Sequence, residues 1–143
     1  MKKIYLASPF FNDGENLFVA LAEHILRDRG FDVFSPRENE IRKGAEVGTS
    51  AWACETFNRD VQAIDESDIV VMLYHGNYSD SGTAWECGYA FATNKPVIAI
   101  HLWADEVSNL MVHCSTLANI TIEELETYDF DNLPEIEYTG DMT

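Results

Sequence analysis

The residues best suited to chemistry lie in one run, Asp80-Ser81-Gly82-Thr83-Ala84-Trp85-Glu86-Cys87-Gly88-Tyr89-Ala90. Its pattern is that of a strand end, a glycine turn and the start of a helix. In the first turn of that helix, Glu86 would feel the positive helix end, which favours the ionised form that a carboxylate nucleophile needs. Gly82 lets a ligand approach the backbone closely, and Gly88 lets the helix pack tightly on a neighbour. The same letters admit a purely structural account. Thr83-Ala84-Trp85-Glu86 has the spacing of a capping box, Thr83 at the N-cap and Glu86 three positions on, and such boxes are common. Spacing alone leaves both readings open. Metal chemistry is not indicated. His24, His75, His101 and His113 show no ligand spacing, and Cys54, Cys87 and Cys114 form no CxxC pair. Neither a metal nor a cofactor is expected.

The elements that must position this run follow from hydrophobic period. Ile4-Tyr5-Leu6-Ala7-Ser8, ended by Pro9, reads as a buried strand. Residues 14–29 have helical period, with Leu17, Phe18, Leu21 and Ile25 on one face and Gly30 as the stop. Strands are predicted at 31–34, 68–74 and 96–100, and helices at 52–64, 83–93 and 106–115. The apolar residues of the second helix are Trp52, Phe57, Val61 and Ile64. Residues 121–125 are read as opening a further helix, and the tail from about 128 has no period. Alternating strands and helices imply a parallel sheet with crossovers on both faces. Four or five strands suit an α/β, flavodoxin-like (Rossmann-like) doubly wound sheet, in a single domain over 1–143. Ligands in such sheets bind beyond the carboxyl ends of the strands. That directs attention to three loops, 8–13, 35–50 and 75–82.

Composition narrows the function classes. Twenty-five acids against nine bases give a net charge of −16. Such a field repels DNA, RNA and anionic membranes but not a neutral small molecule. No nucleic-acid or membrane partner is expected. The N-terminus lacks the apolar core of a signal peptide, and no stretch approaches a membrane span. With unpaired cysteines, this points to a cytoplasmic protein.

The 80–90 run resembles the catalytic segment of nucleoside 2-deoxyribosyltransferases, in which a Glu just before a Gly attacks the sugar and an Asp six positions earlier faces the base. Lys3-Ile4-Tyr5-Leu6-Ala7-Ser8-Pro9-Phe10-Phe11 resembles the family's first strand and loop. Phe34-Ser35-Pro36-Arg37-Glu38-Asn39 resembles the segment after its second strand, Phe57-Asn58-Arg59-Asp60 one that supplies another substrate-facing Asp, and Ser108-Asn109-Leu110-Met111 a late element near the sugar hydroxyls. The matches run in order from 3 to 111. The resemblance implies Glu86 as nucleophile and Asp60 or Asp80 as proton donor to the departing base. It implies Tyr5 as a partner of Glu86, against the alternative of a buried strand tyrosine bonded to backbone. Phe10, Phe11 and Trp52 can stack on the base or fill the core. Gly82, Asn109 and Met111 are placed at the substrate, Asn109 on the 5′-hydroxyl from its own or a neighbouring subunit. Glu40 lies near the position where family members can carry a base-contacting Gln. The partners implied are 2′-deoxynucleosides and free nucleobases, and the assembly a dimer-based homo-oligomer as large as a hexamer.

Two rivals stand beside this reading. A nucleoside 5′-monophosphate N-glycosidase of the same structural family would need a phosphate site. The loop at 8–13 has no basic residue, whereas Arg37, Arg42 and Lys43 in the second loop keep that rival open. A nucleotide-sensing module would bind ligand without turnover.

Overall fold

A computed structural model describes residues 1–40, 45–76, 80–103 and 106–143. The strands are β1 (Lys3–Ala7), β2 (Asp32–Phe34), β3 (Ile69–Tyr74), β4 (Val97–His101) and β5 (Ala118–Thr121). The helices are α1 (Asp13–Asp28), α2 (Ser50–Glu66), α3 (Ser81–Ala92) and α4 (Leu110–Cys114). The strands form one sheet in the order β2-β1-β3-β4-β5, every neighbouring pair parallel. This is the flavodoxin-like order. The chain leaves β1 toward β2 on one side and joins β3 on the other, so a crevice opens at the carboxyl ends of β1 and β3.

Alternation along β1 sorts its side chains between two layers. Ile4 and Leu6 enter a core with Val19, Ala22, Ile25 and Leu26 of α1, and with Tyr128 and Phe130 of the tail. Tyr5 and Ala7 enter the opposite core, with Ala63 and Ile64 of α2 and Cys87 and Ala90 of α3. Both faces of the sheet are covered, which is why its strands read as continuous apolar runs. Burial of each large aliphatic side chain stabilises by roughly 1.5–3 kcal/mol. The functional consequence is that Tyr5 must face α2 and α3.

Several expectations are corrected. The buried face of α1 is Val19, Ala22, Ile25 and Leu26, while Leu17 and Leu21 are exposed. The helix expected over 106–115 is only Leu110–Cys114, because Asn109 caps it through its side chain. The region read as opening a helix at 121 instead ends the fifth strand and makes a single 3-10 turn, Glu124–Glu126. From 128 the chain is irregular but anchored. The guanidinium of Arg29 donates to the carbonyls of Leu125 (2.8 Å) and Tyr128 (2.7 Å). No helix among the described residues is long and apolar enough to cross a membrane.

Candidate active site

The helix that carries Glu86 starts two residues earlier than the sequence suggests. Asp80, not Thr83, is the N-cap of α3: its carboxylate accepts from the Thr83 backbone N–H at 2.9 Å and also from the Thr83 hydroxyl. Both residues are competent caps, and Asp80 takes the role because its carboxylate satisfies the orphan N–H and the Thr83 hydroxyl together. Glu86 therefore lies past the first turn. It is not part of a capping box, and the helix end acts on it less directly than expected.

Its partner comes from the sheet. The Tyr5 hydroxyl donates to Glu86 Oε2, and the Tyr5 ring lies flat on Phe34, with centroids 5.6 Å apart. Packing on Phe34 fixes the ring, and the hydrogen bond fixes the carboxylate. Burial pushes the Glu86 carboxyl up to about 8; the charges of Asp60 and Asp80 add to that, and the Tyr5 hydroxyl opposes it. Burial also raises Asp60 to about 6, against the pull of Arg59. Burial, and then the charges of Glu86 and Asp60, hold Tyr5 far above the ordinary tyrosine range, so it stays a neutral donor.

Glu86 and Asp60 line one cavity of about 440 Å³ with Trp52, Phe57, Gly82 and Trp85. A second cavity of about 390 Å³ contains Phe10, Phe11, Asn39, Glu40, Arg59 and Asp60. Trp52, Thr56 and Asp60 line both, so the two are lobes of one cleft that meet at Asp60. The first lobe is mostly apolar. The second adds polar groups to aromatic faces. Its Phe10 and Phe11 rings stack at 5.9 Å, and their loop is pinned where the Phe11 N–H donates to Glu15 at 2.8 Å.

The fold thus brings together Tyr5, Glu86, Asp60 and Gly82, and through Asp60 also Phe10 and Glu40. Others line a different cavity, although Asp80 is near enough for its charge to act on Glu86. Asp80 and Asn109 line a third cavity, of about 400 Å³, with Tyr74, His75 and Thr83. Met111 is 73% exposed and lines none of the three. Sequence reading missed Thr56, Arg59, Asn39 and Trp85 as cleft residues. Trp52, Thr56 and Asp60 recur every fourth residue, and that stripe was the available signal.

The one described basic residue of the second segment, Arg37, is engaged elsewhere. Arg37 pairs with Glu23 and Arg27 with Glu38. Arg42 and Lys43 lie outside the described residues. Among the described residues no cluster of His, Cys, Asp and Glu could hold a metal ion.

Comparison with known proteins adds four findings. The chain matches the nucleoside 2-deoxyribosyltransferase family over residues 4–129. The solved 2-deoxyribosyltransferase of Bacillus psychrosaccharolyticus superimposes with a TM-score of 0.88 at 42% identity, over 95% of this chain and 98% of that one. The nucleoside deoxyribosyltransferase of Limosilactobacillus fermentum is 28% identical over 98% of this chain and 88% of its own. A Thermofilum pendens protein described as a candidate 2′-deoxynucleoside 5′-phosphate N-hydrolase is 31% identical over 70% of this chain and 68% of its own.

Proposed function

The chain belongs to the nucleoside 2-deoxyribosyltransferase family, and from that premise we propose that it moves 2-deoxyribose between nucleobases through a glycosyl ester on Glu86. The observation that carries this is the Tyr5–Glu86 hydrogen bond on the wall of a lobe that Asp60 also lines. A Glu86 oxygen bonds to C1′ from the face opposite the base. The C1′–N bond breaks, its electron pair goes to the base, and Asp60 supplies the proton that makes the base a neutral leaving group. A second base attacks C1′ from the other face, the C1′–O bond breaks and returns its electron pair to the Glu86 carboxylate, and the incoming base gives its proton to Asp60, restoring the β configuration. This is the retaining-glycosidase scheme with a nucleobase in place of water.

Asp60 fits the acid because burial raises it to about 6. Asp80 fits a positioning role, since its carboxylate caps the helix that holds Glu86. A 2′-hydroxyl would withdraw electrons from an oxocarbenium-like transition state, so deoxyribose is the sugar that reacts. Asn109 and Met111 fit sugar contacts made across a homo-oligomer, because neither lines the lobe that holds Glu86 and Met111 is exposed.

The likeness to a candidate monophosphate hydrolase supplies a second reading. The pairing of Arg37 with Glu23 speaks against it. Incubation with thymidine and adenine should yield deoxyadenosine and thymine, whereas thymidine 5′-monophosphate should react poorly. Rapid hydrolysis of the monophosphate without transfer would instead establish the hydrolase.

A further inference from the structure

Cations are scarce in this chain, with nine Lys and Arg in all, and Arg59 lines the cleft. Among the described residues lining the two lobes of the cleft it is the sole cation. It shares the second lobe with Asp60, its neighbour on α2, and with Phe10 and Glu40. One corner of its guanidinium is fixed where Nη2 donates to Asn39 Oδ1 at 3.3 Å. A guanidinium carries five N–H donors in a planar fork and no acceptor.

The chemistry of the proposed reaction puts a base edge against this pair. With C1′ at Glu86 the sugar occupies the first lobe, and the second lobe, where aromatic faces stand beside polar groups, suits the base. A purine that leaves through N9 takes its proton on N7, and Asp60 is the acid at the junction of the lobes. The next group along that edge is the 6-substituent. In 6-oxopurines it is O6, an acceptor; in adenine it is an amine, a donor. We propose that Arg59 is a specificity-determining residue that donates to O6 while Asp60 serves N7, so that 6-oxopurines are preferred to adenine. Adenine would set its amine against a group that can only donate, leaving both unpaired. A site built for a hydrogen bond discriminates strongly against a base that cannot make it. The proposal rests on the transfer reading given above.

Competition between acceptors tests it. Thymidine loads the same deoxyribosyl group on the enzyme whichever acceptor follows. With equal hypoxanthine and adenine present, the ratio of deoxyinosine to deoxyadenosine therefore reports only the second half of the reaction. Loss of the Arg59 charge would also let the Asp60 carboxyl rise, but both acceptors depend on that proton and the effect cancels in the ratio. Wild type should favour deoxyinosine. Arg59→Met should lower the ratio by about tenfold or more, and Arg59→Lys, which keeps the charge without the fork, by less. A ratio unchanged within roughly twofold in Arg59→Met, or a wild type that favours adenine, would overturn the proposal while leaving transfer intact. No exchange with either base would overturn the transfer reading and this proposal with it.

Discussion

Replacing Glu86 by glutamine should leave a folded protein that transfers no deoxyribose. The amide keeps the shape of the side chain and can still accept from Tyr5 through its oxygen, but it cannot form the glycosyl ester. Loss of a covalent nucleophile lowers turnover by on the order of 10⁴-fold or more. The fold should not suffer, because the cap of α3 is Asp80. The sign of the pH effect agrees. Burial holds Glu86 at about 8, above the value of an exposed glutamate, so the wild type loses stability as pH rises toward 8 and the carboxyl is forced to ionise. Glutamine removes that loss. Thermal melting at pH 8 should therefore show the variant at least as stable as the wild type, while chromatography of a thymidine–adenine mixture shows no deoxyadenosine. Activity within tenfold of wild type in the folded variant would remove Glu86 from the chemistry.

Asp60→Asn should change both the size and the shape of the pH profile. Transfer needs Glu86 ionised and Asp60 protonated. Between about 6 and about 8 the two carboxyl groups together hold one proton, which rests mainly on Glu86; the reactive form is the minor arrangement in which it has moved to Asp60. Below that window both are protonated and the nucleophile is neutral; above it the acid has lost its proton. The wild-type kcat/KM should be bell-shaped with limbs near 6 and 8, values that belong to the pair rather than to either residue. Asparagine cannot supply a proton, so kcat should fall by roughly 10²–10⁴-fold, with less change in KM. The descending limb should vanish, and the ascending limb should reflect Glu86 alone, now freed from the opposing charge of Asp60. Donors whose base leaves readily as an anion should recover most of the loss. Asp80→Asn should show no such selectivity. A bell that survives in Asp60→Asn would assign the proton to another group.

Much of the fold was legible because period and burial agree. Residues 69–73 and 97–100 are apolar and buried throughout since both faces of the sheet are covered. Tyr5 stayed open between two readings, because both faces of the sheet are covered and alternation on β1 does not say which of them meets Glu86. Helix α1 misled because apolar residues occur nearly all round it. Its true phase is set by Val19 and the small Ala22, which permits close approach to the sheet, and not by the larger Leu17 and Leu21. The edge strand Ala118–Thr121 was hidden because Asn119 serves there as a polar anchor, donating from Nδ2 to the Ile136 carbonyl at 3.0 Å. The cap of α3 was ambiguous because Asp80 and Thr83 are both good caps, and the choice depends on a side-chain geometry that spacing does not encode. The second lobe of the cleft was illegible for a different reason. Phe10, Glu40 and Arg59 lie far apart in sequence and meet only once β1, β2 and α2 are assembled.

The central claim is that Glu86 carries the sugar between bases, and trapping that species tests it most directly. A 2-fluoro-arabino nucleoside slows both formation and breakdown of the ester, because fluorine destabilises the oxocarbenium-like transition states. Enzyme incubated with it and digested for mass spectrometry should carry one fluorinated sugar on the peptide that contains Glu86, and addition of adenine should discharge it as the adenine nucleoside. A sugar found on any other residue, or base exchange with this analogue and no covalent label, would contradict the account.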